Sequence, residues 1–296
     1  MYHSKITYRP EIDGLRAIAV FTVILYHANI YIFGKEIFSG GYLGVDVFFV
    51  ISGYLITSLI FKELEETKNF SFINFYKRRV RRILPVLFFI ASISLIVSYF
   101  TLLPNSLIDF VKSVISSIGF VSNFYFYLSG GEYSAIESLL NPFLHTWSLS
   151  IEEQYYLVFP LLLFIFYKKL NNKIIICLIL LFLISFLLAI FYSETNKSLS
   201  FYSFQTRFWE LIAGSIISVV RYKKIYKLNN RTILNYIIYT SFFVLISSFF
   251  LFNDKSNHPS LITLLPVLSV CLIILFSNNN QIIIKILSSK FFGLKV

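Results

Sequence analysis

The stretch Asp13-Gly14-Leu15-Arg16-Ala17-Ile18-Ala19-Val20-Phe21-Thr22-Val23-Ile24-Leu25-Tyr26-His27 decides the fold. Without its ionisable residues it reads as an ordinary membrane-spanning helix. With them it places an arginine and a histidine on one helix inside a bilayer. Eleven residues are close to three helical turns, so Arg16 and His27 share a face, roughly 16 Å apart along the axis. Asp13 sits one turn before Arg16 and can pair with it. Ionisable groups within a span are costly and usually face a protein interior or a wet cavity, which makes them functional candidates. The plain structural readings are that Arg16 anchors the helix at the cytosolic surface and that His27 is a satisfied, buried histidine.

Composition sets the class. Hydrophobic residues make up 57% of the 296 residues, charged residues only 14%, and mean hydropathy is +0.74. A soluble domain is nearer 45–50% apolar and about 25% charged. The chain therefore reads as an all-α polytopic integral membrane protein, one domain over residues 1–296 with no soluble domain. The net charge of +11 would suggest nucleic acid in a soluble protein. Here the basic residues lie in short loops between apolar runs, so membrane orientation and anionic lipid account for them and no nucleic-acid partner is expected. Cys177 and Cys271 both fall in apolar runs, and no cysteine or histidine spacing points to a metal site.

Spans are expected at 14–33, 43–62, 83–103, 150–167, 174–192, 203–220, 232–252 and 260–277, with 107–128 as a ninth candidate weakened by Asp109, Lys112 and several serines. The basic residues choose between eight and nine crossings. With the amino terminus cytosolic and 107–128 not crossing, the clusters Lys77–Arg82, Lys168–Lys173 and Arg221–Arg231 all lie inside, together with Lys285, Lys290 and Lys295. Only Lys35, Lys112, Lys197 and Lys255 fall in outer loops. A crossing at 107–128 would put two basic clusters outside, against the positive-inside rule. The segment 104–149 is therefore expected to be re-entrant or interfacial and to line a cavity. The first span, uncleaved, serves as a signal anchor in a bacterial cytoplasmic membrane.

Several further groups carry chemistry. Phe75-Tyr76-Lys77-Arg78-Arg79-Val80-Arg81-Arg82 is a cytosolic cation cluster, suited to lipid headgroups, to a ligand's phosphates, or simply to topology. Its bias to arginine favours oxyanion recognition. Asp46 opens the second span near its outer end and is placed to meet His27, where a carboxylate would fix the imidazole's tautomer. The run His145-Thr146-Trp147-Ser148-Leu149-Ser150-Ile151-Glu152-Glu153-Gln154-Tyr155-Tyr156 carries two glutamates into an apolar segment, with aromatics suited to a headgroup belt or to stacking a sugar. Arg207 and Glu210 have i,i+3 spacing for an ion pair. His258-Pro259 reads as a turn. Arginines thus gather at the cytosolic side, and His27, Asp46, His145, Glu152, Glu153, Arg207 and Glu210 toward the outer side. That polarity suits a phosphate-bearing donor taken from inside and acid/base chemistry near the outside.

From Tyr8 to about residue 277 the chain resembles the acyltransferase-3 family of bacterial membrane O-acyltransferases. The likeness rests on Tyr8 to Val20, Gly41 to Thr57, Arg78 to Pro85, His145 to Pro160 and His258 to Pro266, and on the Arg-x10-His spacing at Arg16 and His27. It implies acyl transfer, usually acetyl from acetyl-coenzyme A, to a hydroxyl of a lipid-linked or cell-envelope glycan such as O-antigen, peptidoglycan or exopolysaccharide. His27 would then be the general base or acyl carrier, and Arg16 would hold the donor carbonyl or its pantetheine arm. Arg79 and Arg82, with Arg78 beside them, would bind the coenzyme's phosphates. Asp46, Glu152 and Glu153 would orient His27 or hold the acceptor, with His145, Trp147, Arg207 and Glu210 as further acceptor contacts. Family members usually continue with more spans where this sequence stops, so the resemblance also implies that the last helices are lacking. The rival readings are a polytopic transporter or flippase, which should show two matching halves, and an inactive truncated homologue.

Overall fold

The computed structural model describes residues 8–33, 35–130, 141–170, 173–225, 228, 230–253, 257–278 and 281–289. Expectations resting on Lys5, Lys227, Lys255, Lys290 and Lys295, on the end of the chain, and on residues 131–140 of the 104–149 segment lie outside the described residues.

Each of the eight expected apolar segments is a helix. They are α1 (Pro10–His27), α2 (Gly44–Thr67), α3 (Phe72–Thr101), α6 (Thr146–Leu170), α7 (Ile174–Thr195), α9 (Phe204–Tyr222), α10 (Arg231–Leu251) and α11 (Leu264–Phe276). Between them lie the shorter α4 (Pro104–Ile118), α5 (Ser122–Leu128) and α8 (Lys197–Tyr202), and α12 (Ile282–Leu287) follows α11. Five stretches, Gly41–Thr67, Phe72–Thr101, Thr146–Leu170, Ile174–Thr195 and Arg231–Leu251, are long and apolar enough to cross a membrane. Among the described residues the sole sheet is a two-residue hairpin, Tyr31–Ile32 with Lys35–Glu36.

Two expected boundaries change. The first helix stops at His27, short of the expected end at 33, because Asn29 takes a left-handed φ of 48° and its N–H bonds back to Tyr26. Asparagine tolerates that conformation and ends helices there. His27 is therefore the last helical residue, not two turns inside a span. The 107–128 segment is two helices, broken at Gly119-Phe120-Val121 with Phe120 at φ 54°.

The bundle is built around α2. Within its most apolar window 67% of residues are buried, against 17% in α3, which lies at the rim and turns its apolar side chains outward. Lipid solvates such a face as well as protein would. α2 and α9 touch backbone to backbone. A Cβ on Gly53 would come within 1.8 Å of Leu211 O, and one on Gly214 within 1.9 Å of Val50 O. Small residues permit this approach, and the close contact replaces the hydrophobic drive that lipid cannot supply. Along the seam Thr57 donates to Gly53 O and bonds Ser215 at 2.8 Å, and Tyr155 and Ser215 share a 2.5 Å bond. Polar groups removed from water are satisfied there by one another, as a bilayer requires.

Two apolar cores flank the seam. One joins α1, α2, α9, α10 and α11, the other α2, α6, α7 and α9. The carbonyls at the end of α11 are capped by side chains: Arg9 Nη2 donates to Ile274 O at 2.8 Å and Arg221 Nη1 to the same oxygen at 2.7 Å. Cations there also complement the helix dipole.

Candidate functional site

Helix α1 sets the first part of the site. Pro10 starts it, and Asp13 in its first turn pairs with Arg16 at 3.3 Å, as the spacing predicts, while Tyr8 Oη donates to Asp13 at 2.7 Å. Arg16 faces a cavity of about 590 Å³ together with Arg9, Lys62, Arg79 and Arg82, and Tyr8, Tyr54 and Tyr222 add polar aromatic surface to its wall. Five cations from three helices and the residue before α1 thus converge on one space.

Within the cation cluster on α3, Arg79 and Arg82 are three residues apart and reach this cavity. Arg78 is not part of its lining; it lies 4.0 Å from Glu63 with 55% of its side chain exposed. Arg78, the residue before Arg79 and about 100° round the helix from it, turns toward Glu63 instead. Arg79 is held over the rings of Phe75 and Tyr156, 5.6 and 5.4 Å from their centroids. Such stacking suits arginine and fixes the guanidinium's direction.

Glu152 lies inward of its expected place. It accepts from Tyr156 Oη at 2.8 Å and sits within the fields of both Arg16 and Arg79. Sequence spacing grouped it with the outer residues; the fold instead puts it beside the arginine cavity. Glu153, next to it, has a buried oxygen with no hydrogen-bond partner.

Beyond Arg82 lies a second recess of about 340 Å³ between α3 and the start of α6, lined also by Leu87, Phe143, His145, Thr146 and Leu149. Phe143, His145, Thr146 and Leu149, from the expected cavity-lining segment 104–149, thus line a recess. Arg82 borders both spaces. His145 is near enough to influence His27, which closes α1 on an exposed turn. The protein around His145 desolvates its ring and pushes its pKa below the ordinary imidazole value. A neutral ring is the form that can accept a proton.

Asp46 lies elsewhere, in a buried ion cluster. Arg207 Nη1 donates to Asp46 at 2.8 Å and to Glu210 at 2.9 Å, and all three side chains are at most 1% exposed. The expected Arg207–Glu210 pair is present, and Asp46 joins it. The guanidinium lies against the adjoining rings of Trp147 and Phe201, 5.3 and 5.0 Å from their centroids. Trp147, Arg207 and Glu210, read from the sequence as acceptor contacts, are therefore packed against one another in the interior.

His258 completes this cluster, and the sequence reading missed it. Its Nε2 lies 3.5 Å from Asp46, its Nδ1 3.2 Å from Thr263 Oγ1, and its ring packs edge-on against Tyr42. Burial pushes its pKa well below the ordinary imidazole value, and the nearby Arg207 charge adds to that effect. Pro259 beside it signals a turn, as expected, but says nothing about a contact with α2.

Comparison with known proteins places these features in one family. The model of the acyltransferase-3 family, described as an acyltransferase domain, matches residues 9–293. The O-acetyltransferase OatA of Staphylococcus aureus strain NCTC 8325 is 35% identical over 259 residues, covering 84% of this chain, and OatA of strain MRSA252 matches to the same extent. The chain spans 42% of the length of these relatives. No solved structure shows a significant match.

Proposed function

The chain belongs to the acyltransferase-3 family, and on that premise we propose that it moves an acetyl group from an acyl-coenzyme A thioester to a hydroxyl of a cell-envelope glycan or lipid-linked sugar. The observation that carries this reading is the convergence of Arg16, Arg79 and Arg82 on one cavity, with Arg82 also bordering the recess of His145.

The geometry supports the following roles. Arg79 and Arg82 hold the donor's phosphates through charge-assisted hydrogen bonds, with Arg9 and Lys62 adding positive field. Arg16, kept in place by Asp13, meets the pantetheine arm or the thioester carbonyl. Glu152 and Glu153 balance the arginines and give the path a polar wall. At the far end His27, beside His145, takes the proton of the acceptor hydroxyl. The hydroxyl oxygen then attacks the acyl carbon, the carbon–sulfur bond breaks, the ester carbon–oxygen bond forms, and the thiolate leaves to become the coenzyme's thiol. An alternative order, in which His27 itself carries the acyl group, uses the same atoms. The protein sits in the bacterial cytoplasmic membrane with its amino terminus cytosolic, so donor and acceptor approach from opposite sides.

Envelope glycans prepared from cells with and without the chain test the reading. Mass spectrometry is expected to find base-labile acetyl esters on the glycan only where the chain is expressed. Glycans identical in ester content would refute it.

A further inference from the structure

The cluster of Asp46, Arg207, Glu210 and His258 has a charge problem. Arg207 supplies one positive charge, and Asp46 and Glu210, if both ionised, supply two negative ones. All three side chains are at most 1% exposed. Burial disfavours a charge on His258 as well, which leaves the balance to the two carboxyls. A net buried charge is costly, and two carboxyls in contact cannot both ionise cheaply.

The hydrogen bonds locate the missing proton. Arg207 Nη1 serves one oxygen of each carboxyl, Asp46 Oδ1 and Glu210 Oε1. The other two oxygens, Asp46 Oδ2 and Glu210 Oε2, are buried without a donor. The two carboxyls meet on the same nitrogen, Arg207 Nη1. As two carboxylates they have no proton to offer each other. A single proton carried by one of them turns an orphaned acceptor into a donor and makes the cluster neutral.

We propose that Asp46 and Glu210 share one proton, forming with Arg207 a neutral buried acid pair that joins α2 to α9. Its titration belongs to the pair and not to either residue alone. His258 is a positioning residue on this pair. Thr263 Oγ1 accepts the N–H of Ser260 and has its own proton to give to Nδ1, which leaves Nε2–H directed at Asp46. The imidazole thereby ties the segment before α11 to the same carboxylate. This inference does not rest on the acyl-transfer reading.

Infrared spectroscopy of the whole chain in lipid nanodiscs tests it, because a neutral carboxylic acid and a carboxylate absorb at different frequencies. Asp46→Asn and Glu210→Gln are each expected to remove the same single acid band, since either leaves one carboxylate paired with Arg207. The double variant is expected to remove no more acid signal than either single change. Retention of the full acid signal in both single variants would mean that both carboxyls are ionised, and would overturn the proposal. Loss of twice the signal in the double variant would mean two separate protons, and would overturn it equally. Should the double variant not fold, His258→Asn supplies the second arm. It is expected to leave the band in place, whereas an acid band that appears only in that variant would put the proton on the imidazole and sink the idea.

Discussion

His27→Ala is expected to abolish acetyl-ester formation while the chain still inserts and accumulates normally. The position itself makes this a clean test. His27 is the last residue of α1 and is exposed, so truncating it removes little packing. The helix end is fixed by backbone bonds at Ala28 and Asn29 that the imidazole does not make. General-base catalysis is worth roughly 100- to 10,000-fold, so the acetylation rate should fall by at least about 100-fold at unchanged membrane abundance. Loss of the acyl carrier, in the alternative order of steps, would be complete. A His27→Ala chain with a near-normal rate would remove His27 from the mechanism.

Arg79→Ala combined with Arg82→Ala is expected to raise the Kd for acetyl-coenzyme A by at least about 100-fold, and Arg78→Ala to change it less than twofold. Hydrogen bonds to charged groups are worth about 1.5–3 kcal/mol each, and two such losses exceed a hundredfold in affinity. Arg78 sits beside Glu63 at a mostly exposed distance of 4.0 Å, where a salt bridge contributes little. Because Arg79 also packs on Phe75 and Tyr156, Arg79→Lys serves as its control. It keeps the charge but loses the planar fork and should give an intermediate Kd. Calorimetric titration of the purified chain reads all four proteins. An effect of Arg78→Ala equal to that of the double variant would mean that the coenzyme's phosphates are held by diffuse charge and not by this cavity.

The contrast between Arg78 and Arg82 also shows what the sequence reveals and what it hides. Apolar runs locate every long helix, because period and length are local properties. The pairs Asp13–Arg16 and Arg207–Glu210 are equally local, being one turn apart on a single helix, and both form. The choice of Arg79 and Arg82 from the cluster came from the family resemblance, because spacing alone puts Arg82 on the face of Arg78 as much as on that of Arg79. The end of α1 was legible in Asn29, whose tolerance of left-handed backbone outweighs the apolar residues that follow it. Asp46 shows where local reading stops. Depth along its helix placed it near His27, but the rotation of α2 is set by its glycine contact with α9, which brings Asp46 to Arg207. No spacing encodes that rotation. His258 meets Asp46 from far along the chain, through a turn whose direction depends on the packing of α11. Glu152 was misplaced for a related reason. Its height on α6 suggested the outer side, whereas its partners Arg16 and Arg79 come from helices whose tilt the sequence does not specify.

On the proposed mechanism the donor is expected to enter at the arginine cavity and the acetyl group to emerge near the histidines. Proteoliposomes holding the chain in one known orientation test this, with acetyl-coenzyme A on one side and a glycan oligosaccharide on the other. Acetylated glycan and free coenzyme A are expected only when the donor faces the side of Arg79 and Arg82. Equal product with the donor on either side, or product only from the His27 side, would contradict it.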